Sequence, residues 1–155
     1  MTASASAPRS PAVPVALAVA GGLAYVASKL HFAVTGELGI AGFYATPEAN
    51  AAFGDATFAQ LGNAAVGLFA ALAALALLRP PRHRLARLAL LTANWAGALM
   101  MASGVVGFAM RAAGVTSSAD WAPTGWEAWA TLVVGAVWVA GWIVALVVRR
   151  VPEAA

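Results

Sequence analysis

Six polar side chains lie inside or at the ends of long apolar segments of this sequence, and they are its candidates for chemistry. They are Lys29, His31, Gln60, Asn63, Arg111 and Glu127. A charged group costs free energy in a bilayer, so each such residue is by default a hypothesis of function. Together they predict a pocket that opens to the outer side of a membrane and binds an anionic headgroup, a small amphiphile or a partner helix.

Packing and capping offer a second interpretation of Lys29 and Glu127. Lys29 lies about 7–8 Å from the end of its segment, at 1.5 Å per helical residue, so its amine could extend to the lipid headgroups. Thr124 and Glu127 have the spacing of a capping box in front of an apolar run, which accounts for Glu127 without catalysis. The sequence leaves both interpretations open.

The remaining candidates also suit contacts between helices. Gln60 and Asn63 share one face of a predicted helix and are suited to hydrogen bonds with a neighbouring helix. Arg111 ends a segment and could pair with Asp120 or Glu127.

No metal and no cofactor are expected. His31 and His83 are predicted on opposite sides of the bilayer, so they cannot share a metal ion or a haem. The chain contains no cysteine, which excludes disulfides, thiolate metal sites and iron–sulfur clusters. The sequence motifs of phosphate loops, zinc proteases and nucleophile elbows do not occur.

Four apolar runs must position these side chains. They cover residues 13–34, 58–78, 88–110 and 126–148, and none is broken by proline, since Pro14 lies in the first turn of the first run. At about 1.5 Å per residue, each run matches a hydrocarbon core about 30 Å thick. Because lipid cannot pair backbone polar groups, each run is predicted to be a helix. The predicted fold is all-α, a membrane-embedded antiparallel four-helix bundle over residues 13–150, with a disordered cytoplasmic leader at 1–12 and a cytoplasmic tail at 151–155.

The first run has an alternative interpretation as a signal peptide. Arg9, the apolar stretch and the small residues Ala27 and Ser28 would suit cleavage after Ser28. The apolar stretch continues beyond that point as far as Val34, which favours a helix that is retained.

The charges predict the orientation of the protein. Of the 155 residues, 62% are hydrophobic and 10% are charged, and the formal net charge is +3. Arginines concentrate at the two termini and in the loop 79–87, whereas most acids lie near the first and third loops. Because cytoplasmic loops collect Lys and Arg, both termini and the loop 79–87 are predicted to be cytoplasmic. The excess of arginine over lysine and the abundant alanine indicate a GC-rich bacterial genome. With the four apolar runs, this predicts a location in the bacterial plasma (inner) membrane. Since the positive charge follows topology, nucleic acid is not an expected partner.

The first outer loop, 35–57, is predicted to begin as an irregular chain at Gly36, Gly39 and Gly42. Thr46, Pro47 and Glu48 then have the pattern of a helix start, which predicts a short helix at Pro47–Phe53 on the membrane surface. Three aromatic side chains are predicted to face the headgroups, namely Phe43, Tyr44 and Phe53.

Small and polar residues recur at helical spacing and predict the faces by which the helices meet. The third run has such a face in Asn94, Gly97, Met101, Gly104, Phe108 and Arg111. The fourth run has one in Glu127, Thr131, Val134, Trp138, Gly141 and Ala145. Two faces compete in the first run, one containing Gly22, Tyr25, Lys29 and Phe32, and the other Ala20, Ala24, Ala27 and His31. Such faces would also suit a homo-oligomer.

The stretch 29–43, KLHFAVTGELGIAGF, and Gly62–Asn63 resemble an actinobacterial family of small four-span membrane proteins of unknown function. The resemblance covers roughly residues 25–78. It implies a four-helix membrane protein with a role for His31 and for the glycines, and it implies no activity, substrate or cofactor.

Two functions follow from these observations. The first is a non-enzymatic integral membrane protein whose outward polar cluster packs the bundle or binds a lipid or a partner protein. The alternative is a membrane enzyme or carrier for a small amphiphile, with His31 as base or hydrogen-bond donor and Lys29 or Arg111 holding an anion.

Overall fold

A computed structural model describes residues 11–116 and 121–150 of the chain. Most of the predicted leader, the predicted tail at 151–155 and Asp120, a predicted partner of Arg111, lie outside the described residues.

Four long helices form the body of the protein and confirm the predicted fold class. They are α1 (Ala12–Thr35), α3 (Ala56–Ala76), α4 (Arg84–Ala112) and α5 (Gly125–Arg150). All four are long and apolar enough to cross a membrane, and many of their large apolar side chains point outwards. Length and composition are therefore those of a multi-pass membrane protein.

Helix α1 is the centre of the bundle, with α3 on one side and α5 on the other. Its Gly22 approaches Ala71 of α3, where an added Cβ would lie 3.0 Å from the Cβ of Ala71. Gly21 lies against the Trp138 side chain of α5, with no room for a Cβ. Of the two competing faces of α1, the structure buries the one that contains Gly22 and Lys29, and leaves His31 exposed.

The short helix α2 (Pro47–Phe53) has the predicted bounds. The Thr46 hydroxyl accepts a hydrogen bond from the Ala49 N–H at 3.3 Å, and Pro47 occupies the first turn. The prediction of this helix from its N-terminal pattern is confirmed.

The loops also form a small sheet, which was not predicted. Strands β1 (Gly39–Ile40), β2 (Phe43–Ala45) and β3 (Trp121–Pro123) pair antiparallel in that order, with Ile40 opposite Phe43 and Tyr44 opposite Ala122. The glycine-rich segment is thus a hairpin and not an irregular loop.

Phe43 is fully buried rather than facing headgroups, because β2 directs it onto Phe108, with ring centroids 4.7 Å apart. The sheet therefore packs against the helices as part of the core. We call the end of the bundle that carries the sheet the sheet end. The opposite end, with the turn between α3 and α4, is the turn end.

Candidate functional site

Two predicted site residues hold the β1–β2 hairpin onto the helices. The Lys29 ammonium donates a hydrogen bond to the Gly39 carbonyl at 2.6 Å. The Gln60 amide donates to the same carbonyl at 3.0 Å and to the Glu37 carbonyl at 3.2 Å. One carbonyl of β1 thereby links α1 with α3.

Lys29 does not extend towards headgroups. Only 7% of its surface is exposed, and its ammonium lies 5.3 Å from the centroid of the Tyr25 ring. The hairpin folds back over α1 and brings the Gly39 carbonyl within reach, so the lysine has an acceptor inside the bundle. No carboxylate within residues 11–116 and 121–150 pairs with it.

The hairpin also separates α1 from α5 at the sheet end. At the turn end these helices are in direct contact, through Gly21 on Trp138 and Gly141 on Leu17. Nearer the sheet, Gly42 of the hairpin lies on α5 instead, where an added Cβ would be 2.5 Å from the Ala128 nitrogen. The hairpin therefore acts as a spacer.

Below the spacer lies a cavity of about 370 Å³. Most of its lining is apolar and comes from α1, α4, α5 and the hairpin: Gly21, Ala24, Tyr25, Ser28, Lys29, Ile40, Ala41, Phe43, Met101, Gly104, Val105, Phe108, Ala130, Thr131, Leu132, Val134, Gly135 and Trp138. Ala24, Gly104 and Val134 are also exposed on the surface of the bundle, so the cavity opens laterally. Its size falls in the range of small-molecule sites, about 300–1,000 Å³.

A polar groove adjoins the cavity at the sheet end. Its volume is about 390 Å³, and its polar lining includes His31, Tyr44 and Glu127. The Tyr44 hydroxyl donates to the Glu127 carboxylate at 3.5 Å. Groove and cavity share Ser28, Ala41, Ala130 and Thr131 as lining residues, so an apolar chamber has a polar mouth.

The predicted capping box at the start of α5 does not form. Glu127 would have to accept from the Thr124 N–H, but that N–H donates to the Gly42 carbonyl at 2.9 Å. Because β2 pairs with β3, which lies directly before α5, this donor is not available to Glu127. Glu127 is exposed and faces the groove instead.

Asn63 and Arg111 lie outside the cavity and the groove. Asn63 is exposed on α3, and within the part of the chain that the structure describes it makes no hydrogen bond. The Arg111 guanidinium lies 5.2 Å from the centroid of the Phe108 ring, at the end of α4. The six predicted residues are thus divided between a hairpin clamp, a groove and two separate positions.

Of the lining residues of the cavity named above, only Lys29 was predicted as a member of a site. Tyr25 and Gly104 appeared in the sequence only as packing positions, and Thr131 as one member of a helix face. The sequence did contain one indication of the cavity. A glycine on an apolar helix leaves a gap when no neighbouring side chain packs against it, and Gly104 is such a residue. Here no described atom lies within 4 Å of a Cβ at this position.

In residues 11–116 and 121–150, no three His, Asp or Glu side chains gather into a group that could hold a metal ion.

No family model, curated protein or solved structure matches the chain. The resemblance to an actinobacterial family therefore stays a prediction, and the argument for function comes from the geometry of the cavity.

Proposed function

We propose that this protein is a small lipid-binding protein of the bacterial inner membrane. It takes up an amphiphile from the outer leaflet into the cavity at the sheet end and binds it without chemical change. The lipid bilayer and this amphiphile are its partners.

The distribution of charge supports an orientation in which the sheet end lies at the outer leaflet. The described arginines of the turn, such as Arg79 and Arg87, lie at the same end of the bundle as Arg149 of α5. The acids Glu37 and Glu127 belong to the sheet end. By the positive-inside rule the turn end is cytoplasmic and the sheet end faces outwards.

The observation that carries the proposal is the combination of an apolar cavity, a lateral opening and a polar mouth. In a water-soluble protein, an apolar cavity of this kind contains no water and can stay empty. In a membrane, a cavity that opens to the lipid can be entered by an acyl chain. The polar groove lies where the headgroup region of the outer leaflet would be. A molecule with a chain and a polar end would place its chain in the cavity and its polar end where the cavity meets the groove, at Ser28 and Thr131, which line both.

Binding is preferred to catalysis because the mouth lacks an oriented base. A catalytic histidine is held by a hydrogen bond to a second group. His31 is exposed, and among the described residues its ring makes only an edge contact with Phe32, with centroids 5.5 Å apart.

The test fills the cavity with a side chain. Gly104→Phe places a ring where the described structure has open space, so the bundle should still fold. The control is Gly62→Phe on α3, another open helical position but one outside the cavity. Native mass spectrometry of the two variants, purified from their own membranes, would report the retained amphiphiles.

We expect the unmodified protein and Gly62→Phe to retain the same small molecule, and Gly104→Phe to lose it by about tenfold or more. Equal retention by both variants would contradict a ligand in this cavity.

A further inference from the structure

The ammonium group of Lys29 is the strongest unexplained feature of the cavity. Only 7% of the surface of Lys29 is exposed, and the residue lines the apolar chamber. One of its three N–H donors is used by the Gly39 carbonyl, and the ammonium lies 5.3 Å from the centroid of the Tyr25 ring. The described residues supply no second hydrogen-bond acceptor and no carboxylate. A buried cation without a counter-ion is costly, so an anion in the chamber would stabilise it.

Three residues with hydroxyl groups line the same chamber, namely Tyr25, Ser28 and Thr131. The Ser28 hydroxyl already accepts a hydrogen bond from the Ala41 N–H at 3.2 Å. Tyr25 and Thr131 make no hydrogen bond with any described residue, although the hydroxyls of Thr35, Thr57 and Ser103 all donate one. The cavity is therefore lined by one lysine and by two residues whose hydroxyls have no described partner, within a largely apolar lining. This set of donors suits a small, charged acceptor.

From these observations we propose that the bound amphiphile has a single chain and a carboxylate headgroup, held by Lys29 together with Tyr25 and Thr131. The inference rests on the proposed function and names the ligand class of the same cavity. One lysine balances the single charge of a carboxylate, whereas a phosphate monoester carries about −1.5 to −2 at neutral pH.

The position of Lys29 also sets the direction of the chain. Lys29 and Thr131 lie at the part of the cavity nearest the sheet, and Gly21 and Trp138 lie at the part nearest the turn. Eight residues of α1 separate Lys29 from Gly21, about 12 Å at 1.5 Å per residue. A carboxylate at Lys29 therefore directs its chain towards the bilayer centre, the direction that an acyl chain has in the outer leaflet.

The test compares headgroups on one chain length. Full-length protein in phosphatidylcholine nanodiscs is titrated with dodecanoate, dodecanol, dodecylamine and dodecyl phosphate, and the affinities are measured. We expect dodecanoate to bind more tightly than each of the other three, by about tenfold over the alcohol, the ratio for a charged hydrogen bond. The carboxyl-carbon resonance of labelled dodecanoate should shift on binding.

Two variants separate the charge from the clamp. Lys29→Gln keeps a donor for the Gly39 carbonyl but removes the cation, so the preference for carboxylate over alcohol should disappear. Gln60→Leu loses the other hydrogen bonds to the hairpin without altering the cavity lining, so it should lower stability and keep the preference. If Lys29→Gln does not fold, the headgroup series on the unmodified protein decides alone.

The outcomes distinguish the inference from the proposed function. Equal affinity for all four headgroups, or tighter binding of the phosphate, would overturn the carboxylate assignment and leave amphiphile binding in place. If none of the four binds and Gly104→Phe retains the same molecules as Gly62→Phe, both proposals fail.

Discussion

The two ends of the bundle differ in how completely their buried polar side chains are hydrogen-bonded. At the turn end, the Asn94 amide donates to Ala73 of α3 at 3.1 Å and to Leu90 at 2.8 Å, and its oxygen accepts from the Trp142 indole at 2.8 Å. One fully buried side chain thus joins three helices. At the sheet end, Lys29 donates to one carbonyl, has no other hydrogen-bond acceptor among the described residues, and lines a cavity.

The two ends have different roles: the turn end provides most of the stability of the bundle, and the sheet end provides the proposed binding site. Lipid gives little hydrophobic drive for helices to associate, so packing and hydrogen bonds must hold them together. The turn end uses both, with Gly97 against Trp142 and Trp138 stacked on Trp142 at 6.0 Å. At the sheet end, the hairpin lies between α1 and α5, and a cavity takes the place of direct contact between these helices.

The largest expected effect is at the turn end. Asn94→Ala removes three hydrogen bonds and leaves the Trp142 indole N–H without its acceptor in the core, so we expect a loss of about 3 kcal/mol in the free energy of unfolding. Unfolding in detergent would measure it. Asn63→Ala, at an exposed asparagine, should change stability by less than about 0.5 kcal/mol. Equal losses at the two positions would contradict the contrast between them.

The next effect concerns the spacer. Gly42 has a φ of 79° and approaches the backbone of Ala128, so Gly42→Ala combines strain with a clash. The control is Gly114→Ala, at another glycine with positive φ, 70°, but with no described atom within 4 Å of an added Cβ. We expect Gly42→Ala to destabilise the docking of the hairpin on α5 by about 2 kcal/mol. The control should be destabilised less, because it introduces backbone strain without a clash. Limited proteolysis would detect release of the hairpin as faster cleavage within it. Equal cleavage of both variants would rule out a hairpin that is docked on α5.

A smaller effect is expected inside the cavity. Thr131→Val removes a hydroxyl with little change in volume, so dodecanoate should bind about three- to tenfold more weakly, as for one lost hydrogen bond. Thermal stability should not change, because among the described residues that hydroxyl has no partner. Thr131→Ser, which keeps the hydroxyl, is the control. A loss of affinity in both variants would indicate shape rather than hydrogen bonding.

The smallest effect is expected at the mouth. Glu127 is exposed and its contact with Tyr44 is long, at 3.5 Å, so Glu127→Gln should alter stability by less than about 0.5 kcal/mol. Unfolding of this variant beside Tyr44→Phe would measure it. A loss above 1 kcal/mol would mean that the groove is a structural joint, contrary to its assignment as an opening.

The sequence predicts the helices well and the sheet not at all, for physical reasons. The apolar runs are long enough to require helices in lipid, and Thr46 with Pro47 marks the start of α2 directly. Strand β1 has two residues and β2 three, too few for an alternating pattern, and β3 lies far along the chain. Pairing at that distance leaves no local signal.

The missing sheet also explains why the candidate site was predicted only in part. The sequence places Lys29, His31 and Glu127 at one end of the bundle, and all three line the cavity or the groove. It could not show that a hairpin would give Lys29 an acceptor or take the Thr124 N–H from Glu127. The face of α4 was predicted to pack along its whole length, but Gly104 borders open space because the hairpin holds the helices apart.

The most direct test of the account locates the chain of a bound amphiphile. Dodecanoate with a nitroxide at the end of its chain broadens the backbone NMR signals of nearby residues in the nanodisc-bound protein. We predict strong broadening around Gly104 and Trp138, reversed by unlabelled dodecanoate, with sharp signals around Arg84, which lies about 30 Å from Gly104 along α4. Broadening of every lipid-facing residue alike, with no competition by unlabelled dodecanoate, would contradict a chain bound in the cavity.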